Sequence, residues 1–262
     1  MFLGDLSMVP FRPQIALITG ASAGIGKAMA WSLAPKNLIL ILVARRLELL
    51  QELKNEILKL YPDKVIHLID SDVNAPDLTH RISLISHQRI DILINNAGLA
   101  LGRDKVETSK FSDWDTMIST NVTANFKMAH MVVPWMLNNG GGDIINLCSI
   151  AGFLTYPGGA VYCATKHAVH AFTRVLREET AGRNIRVMQI SPGMVETDFS
   201  LTRFNGDQAM ADKVYEGLDP LRGEDIARMM QFMLDQPRHV VIDEMITMPM
   251  AQGSPTTTVR GK

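Results

Sequence analysis

Short, nearly unbroken apolar runs, each followed by a stretch of helical periodicity, set the terms for this chain of 262 residues. Ile15–Thr19 (IALIT), Leu38–Ala44 (LILILVA), Asp91–Asn95 (DILIN) and Asp143–Cys148 are too continuous for strands with one wet face, which would alternate apolar and polar residues. With Val65–Ile69 and Arg186–Ser191 they read as strands buried on both sides, and Val240–Met248 holds a seventh. Between them lie helical stretches. Gly24–Leu33 stops near Pro35, and Leu47–Leu60 is closed by Pro62, because proline cannot continue a helix. Pro76–Ser86 follows, with Asn74 as its cap. Then come Trp114–Leu137, which Pro134 kinks or ends, Val161–Ala181 and Asp225–Leu234. Strand and helix in alternation predict an α/β chain: a doubly wound (Rossmann) parallel sheet of about seven strands, helices on both faces and right-handed crossovers. No linker, repeat or low-complexity tract divides residues 1–262, so one domain is expected.

In such a sheet ligands sit beyond the carboxyl ends of the strands. Thr19, Ala44, Asn95, Ser149 and Ser191 are those ends. Thr19-Gly20-Ala21-Ser22-Ala23-Gly24-Ile25-Gly26 joins the first strand to its helix. Glycines there let the backbone turn tightly and approach a pyrophosphate, and the helix start supplies free N–H groups. The second strand ends Ala44-Arg45-Arg46. An acid at that tip would suit the ribose hydroxyls of NAD; two arginines suit a 2′-phosphate, so NADP(H) is expected. Lys27, just past the glycines, reads as a surface lysine. Ser149 closes a strand, Tyr162 follows thirteen residues later and Lys166 four after that. Helical positions four apart share a face, so phenol and ammonium enter one space beside the serine. That is acid–base equipment for a carbonyl or an alcohol.

These motifs in this order, with Asn95-Asn96-Ala97-Gly98, Asn121 and Pro192-Gly193-Met194-Val195-Glu196-Thr197, resemble the short-chain dehydrogenase/reductase family over essentially Ile15 to Met248. The resemblance implies an oxidoreductase moving a hydride between nicotinamide and a carbon bearing a hydroxyl or carbonyl. It makes Tyr162 the acid or base, with Lys166 lowering its pKa and holding the nicotinamide ribose. Ser149 would bind the substrate oxygen, and Asn121 would hold a water in a proton relay. Gly20, Ser22, Gly24, Ile25, Gly26, Arg45, Arg46, Asp72, Asn95, Ala97, Gly98, Tyr162, Lys166, Pro192, Gly193, Val195 and Thr197 are the cofactor-binding set it implies. A segment near 194–220 would cover the substrate. LILILVARRLELLQELK, NNAGLALGRDKV and MVETDFSLTRFNGD look like the NADP-dependent 3-hydroxy acid and serine dehydrogenases in particular. A carboxylate substrate calls for a cation, and Arg203 is the candidate. Fungal relatives often carry Arg where this chain has Phe153, so Phe153 either packs under the loop or makes the pocket apolar. Met194 and Phe199 could add to that. A ketoreductase for a bulkier ketone is therefore the second reading; a non-catalytic NADP-binding sensor or scaffold is the alternative from another class.

A net charge of −1 gives no ground for a nucleic-acid partner, and no apolar run is long enough for a membrane span. Cys148 and Cys163 have neither CxxC spacing nor a His cluster nearby, so they read as buried thiols and no metal is expected. The opening MFLGDLSMVPFRP lacks the pattern of a signal peptide, and a cytoplasmic protein is the expectation. The family resemblance adds a homotetramer paired through the Trp114–Leu137 and Val161–Ala181 helices; Met128, Met131, Val132, Val133, Trp135 and Met136 supply more apolar surface than one sheet face needs, for subunit contact or equally for the core.

Overall fold

The computed structural model describes residues 13–261. The opening stretch read above for a signal peptide lies almost wholly outside them. In chain order the elements are β1 (Gln14–Thr19), α1 (Gly24–Leu33), β2 (Leu38–Ala44), α2 (Leu47–Leu60), β3 (Ile66–Asp70), α3 (Leu78–Ser86), β4 (Ile92–Asn95), α4 (Phe111–Ile118), α5 (Ala124–Asn138), β5 (Gly142–Leu147), α6 (Ala160–Thr180), β6 (Ile185–Pro192), α7 (Phe199–Arg203), α8 (Gln208–Tyr215), α9 (Gly223–Leu234) and β7 (Glu244–Thr247). The strands form one sheet in the order β3-β2-β1-β4-β5-β6-β7, every pair parallel. The winding reverses between β1 and β4, which leaves a crevice at their carboxyl ends.

Double burial explains the continuous apolar runs. Along β1, Ala16 and Ile18 enter a core layer with Leu33, Leu50, Leu53, Ile226 and Met230 from α1, α2 and α9. Their neighbours Ile15 and Leu17 enter the opposite layer with Ile82, Met128, Val132 and Leu176 from α3, α5 and α6. A period of two with both faces apolar gives an uninterrupted run in sequence. The first helix, α1, packs on the last, α9, closely enough that a Cβ on Gly223 would stand 3.0 Å from the Ala28 methyl. The methionines of α5 that suggested subunit contact, Met128, Met131 and Met136, are buried in the chain's own core.

Three sequence expectations change. Asn74 does not cap α3: that helix begins at Leu78 after Asp77, and the Asn74 amide instead donates to the Ser119 carbonyl at 3.2 Å. The Trp114–Leu137 stretch is helical throughout as expected, but α4 runs into α5 through a π-helical turn at Ser119–Thr123 that divides it. Pro134 does not end α5, which runs on to Asn138. The carbonyl that its missing N–H leaves free belongs to His130; both residues are exposed, so water can take that bond.

At the amino ends of β5 and β6, Asp143 receives two bonds from Arg186, Nε at 2.7 Å and Nη2 at 2.9 Å, and a third from Arg238. Arg186 also donates to the carbonyls of Leu234, Gln236 and Val240. Asp143 and Arg186 are buried, and the pair ties the end of α9 to the sheet.

Candidate active site

The β1–α1 turn is shaped by close approach. Gly20 has a left-handed φ of +66°, and a Cβ on Gly26 would lie 2.3 Å from the Gly20 carbonyl oxygen, so neither position accepts a side chain. Thr19 Oγ1 accepts the N–H groups of Asn96 and Ala97 at 3.1 and 3.0 Å, and the Asn96 amide donates to the carbonyls of Thr19 and Gly20 at 2.9 and 3.1 Å. The two central strand ends are thereby stitched together. Ala23, at the N-cap of α1, offers no side-chain cap, so the first N–H groups of the helix face the cleft without one.

That cleft, of about 360 Å³ and open to solvent, runs from Ser22, Arg45 and Arg46 past Asp72 and Gly98 to Ser149, Tyr162 and Lys166. At its far wall are Pro192, Gly193, Val195 and Thr197. Arg46 Nη2 lies 3.3 Å from Ser22 Oγ, and its Nη1 pairs loosely with Asp198 at 3.7 Å. At the other end Lys166 Nζ donates to the Leu147 carbonyl at 2.9 Å and stands 6.0 Å from the Tyr162 ring centre. The Ser149 hydroxyl accepts the Ala151 N–H at 3.1 Å. Arg203 is not on the cleft wall; it lines a smaller neighbouring pocket with Gly102, Trp114 and Tyr162, its guanidinium 5.6 Å from the Tyr162 ring. Its Nε donates to the Gly102 carbonyl at 3.2 Å and its Nη2 to the Tyr156 hydroxyl at 2.8 Å.

The sequence profile described as short chain dehydrogenase matches residues 14–207. The chain belongs to that family. It is 44% identical over 243 residues to the NADP-dependent 3-hydroxy acid dehydrogenase of Schizosaccharomyces pombe, covering 90% of this chain and 93% of the relative. To a sulfoacetaldehyde reductase of Chromohalobacter salexigens it is 39% identical over 236 residues, covering 90% and 93%. Among solved structures, the closed form of serine dehydrogenase complexed with NADP+ matches with a TM-score of 0.85 at 36% identity, over 95% of this chain and 100% of that one.

Within this dehydrogenase several sequence assignments move. Asn95 is buried within the sheet, its amide donating to Asn146 Oδ1 at 3.0 Å; the neighbouring Asn96 lines the cleft instead. Gly26 serves the turn and does not line the cleft. Asn121, in the π-turn, accepts the Leu99 N–H and donates to the Leu99 carbonyl, both at 2.8 Å, and to Thr165 Oγ1 at 3.1 Å. Its two amide protons are therefore taken by protein partners, and the side chain holds the loop after β4. Phe153 packs edge-on against His170, ring centres 4.5 Å apart, and is not on the cleft wall. Met194 is likewise absent from the wall, whereas Phe199 lines it and meets the Tyr162 ring at 5.7 Å. Lys27 is a surface residue paired with Glu56 at 3.1 Å. Both cysteines are free and buried.

The electrostatics of Tyr162 also depart from expectation. Burial first, and Tyr156 second, push its phenol well above the ordinary range; the Ser149 side chain and the Arg203 guanidinium pull it partway back. Lys166, itself lowered by burial, is not among the groups that shift the phenol. Sequence reasoning missed Ser71, Thr120 and Asp198 on the cleft wall, none of which stands in a motif.

Proposed function

We propose that the protein is an NADP(H)-dependent oxidoreductase that interconverts a hydroxyl and a carbonyl on a small anionic substrate, a 3-hydroxy acid or a serine-like compound. The observation that carries the substrate class is Arg203. It stands beside the acid–base tyrosine with Nε and Nη2 held by Gly102 and Tyr156, while among the described residues Nη1 takes no hydrogen-bond partner. A cation oriented by two protein bonds and keeping a free donor is a receptor for a carboxylate. The named substrates of the relatives, a 3-hydroxy acid and sulfoacetaldehyde, are anionic in the same sense.

The cleft fits NADP by the chemistry of its donors: uncapped N–H groups at the start of α1, and two arginines with a serine hydroxyl at the tip of β2. When bound, NADP supplies the hydride chemistry. Arg45, Arg46 and Ser22 would hold the 2′-phosphate, Asp72 and Gly98 the adenosine side, Lys166 the nicotinamide ribose, and Val195 with Thr197 the carboxamide. In reduction Tyr162 gives its phenolic proton to the carbonyl oxygen while the Ser149 hydroxyl orients that oxygen; in oxidation the proton returns to Tyr162. Phe199 and the bulk of the Tyr162 ring close the pocket against water.

Arg45→Asp is expected to raise the Kd for NADPH by about 10- to 150-fold, the worth of a charge-assisted contact, with NADH much less affected. Fluorescence titration with both cofactors checks this, and equal losses would remove the phosphate assignment. The substrate class is tested by initial rates of NADPH formation from NADP with L-serine or a 3-hydroxy acid beside the matched methyl ester. Preference for the free acid supports Arg203 as the carboxylate receptor. An ester that serves as well or better shifts the reading to a ketoreductase of less polar compounds, with Phe199 as the dominant wall.

A further inference from the structure

The far wall of the cleft, residues 192–197, is held from behind by a residue that carries no motif. Gln252 lies after the last strand and is buried. Its Oε1 accepts the Met194 N–H at 2.8 Å, and its Nε2 donates to the Ser254 carbonyl at 3.2 Å. A Cβ on Gly193 would come within 2.3 Å of that Oε1, so the glycine is what admits the glutamine. On its other bonds the same turn is fixed to the sheet, Gly193 N–H donating to Thr247 and Leu221 N–H to the Met194 carbonyl. Gln252 is thus the sole side chain among the described residues that holds the Met194 N–H, midway between Gly193 and Val195 on the cleft wall.

The segment carrying Gln252 has a second anchorage. It folds back through the Gln252–Thr258 bridge, and Val259 N–H donates to the Ala251 carbonyl at 2.8 Å. Arg260 then reaches the end of α8, donating to the carbonyls of Lys213, Val214 and Glu216, which a helix terminus leaves without intrahelical donors. Gly261 N–H meets the Gly217 carbonyl at 2.9 Å. The helix held in this way also reaches the wall itself, since Tyr215 donates to the Val195 carbonyl at 2.9 Å.

We infer that Gln252 is a positioning residue for the reaction. By holding the Met194 N–H it sets where Val195 and Thr197 stand, and the strap from Gln252 to Gly261 locks the covering helix α8 to that setting. This rests on the proposed oxidoreductase reading for its kinetic arm only.

The test uses the full chain with Gln252→Leu, which keeps the volume and removes the acceptor, and Gln252→Glu, which keeps an oxygen for Met194. Gln252→Leu is expected to lower kcat about tenfold, the cost of one lost hydrogen bond, while NADPH affinity, set at the Arg45 and Arg46 end, stays within about twofold. Gln252→Glu should recover most of the rate. In the protein without substrate, hydrogen exchange at the Met194 amide should quicken about tenfold in the Leu variant and little in the Glu variant. Wild-type kcat in Gln252→Leu, or equal losses in both variants in step with a loss of folded protein, would overturn the assignment. If the wild type turns over no alcohol with NADP, the reaction reading fails, and the exchange measurement still decides whether Gln252 fixes the turn.

Discussion

Replacement of Tyr162 by Phe is expected to lower kcat in both directions by about 10²–10⁴-fold, the span of a lost general acid or base, and to leave NADPH affinity within about twofold because the ring and its packing remain. The pH dependence separates this from a packing defect. Burial raises the phenol above its ordinary pKa, so Tyr162 keeps its proton at neutral pH. Carbonyl reduction uses the protonated form and should hold its rate across the neutral range. Alcohol oxidation uses the phenolate, whose population grows as pH rises, so its rate should climb toward alkaline pH. Both signatures should vanish in Tyr162→Phe. Steady-state kinetics from neutral to alkaline pH, with NADPH fluorescence titration alongside, provide the check; substantial turnover by the Phe variant would eliminate Tyr162 as the acid and base.

The second large effect is on stability. Asp143→Ala strands the buried Arg186 guanidinium with only carbonyl partners, and should cost about 3 kcal/mol, a fall of roughly 6–12 °C in melting temperature for a domain of this size. The pair is not itself a net gain over apolar packing. Asp143→Leu combined with Arg186→Met should recover part of the loss, because no buried charge then stands unpaired, while Arg238 and the carbonyls of Leu234, Gln236 and Val240 still lose a partner. Thermal melts of the single and double variants measure both statements. A single variant as stable as the parent would mean that Leu234, Gln236 and Val240 satisfy Arg186 unaided.

What the sequence disclosed, and what it withheld, follows from how far each signal reaches along the chain. The run LILILVA, short and bounded by turn residues, reads as a strand covered on both faces, and β2 occupies those residues without a shift. The glycine turn, Arg45 and Arg46, and the Ser149, Tyr162 and Lys166 set are local motifs, and the fold brings them to one cleft. Adjacent asparagines defeated the reading at β4. The strand ends between them, leaving Asn95 inside the sheet and sending Asn96 to the turn, a distinction that depends on one residue of register. Phe153 meets His170, and the Met194 amide meets Gln252 across 58 positions; such partners are settled by three-dimensional packing and leave no periodicity to read. The π-turn at Asn121 is invisible for the same reason, since residues of good helical propensity flank it on both sides. The burial that pushes the Tyr162 phenol up is likewise not legible in the sequence, which shows only a lysine four residues away.

The packing of α1 against α9 has a consequence for how the chain comes into being on the ribosome. Part of the apolar side of residues 24–33 packs on β1, β2 and α2 early, but the part that meets α9 finds its cover only when residues 223–234 have been made. At 5–20 residues per second that interval is on the order of 10–40 s. Throughout it β1 and β2 can be present while part of one face of the growing layer stays bare, so a nascent chain arrested near residue 200 should engage chaperones, and one that has released α9 should not.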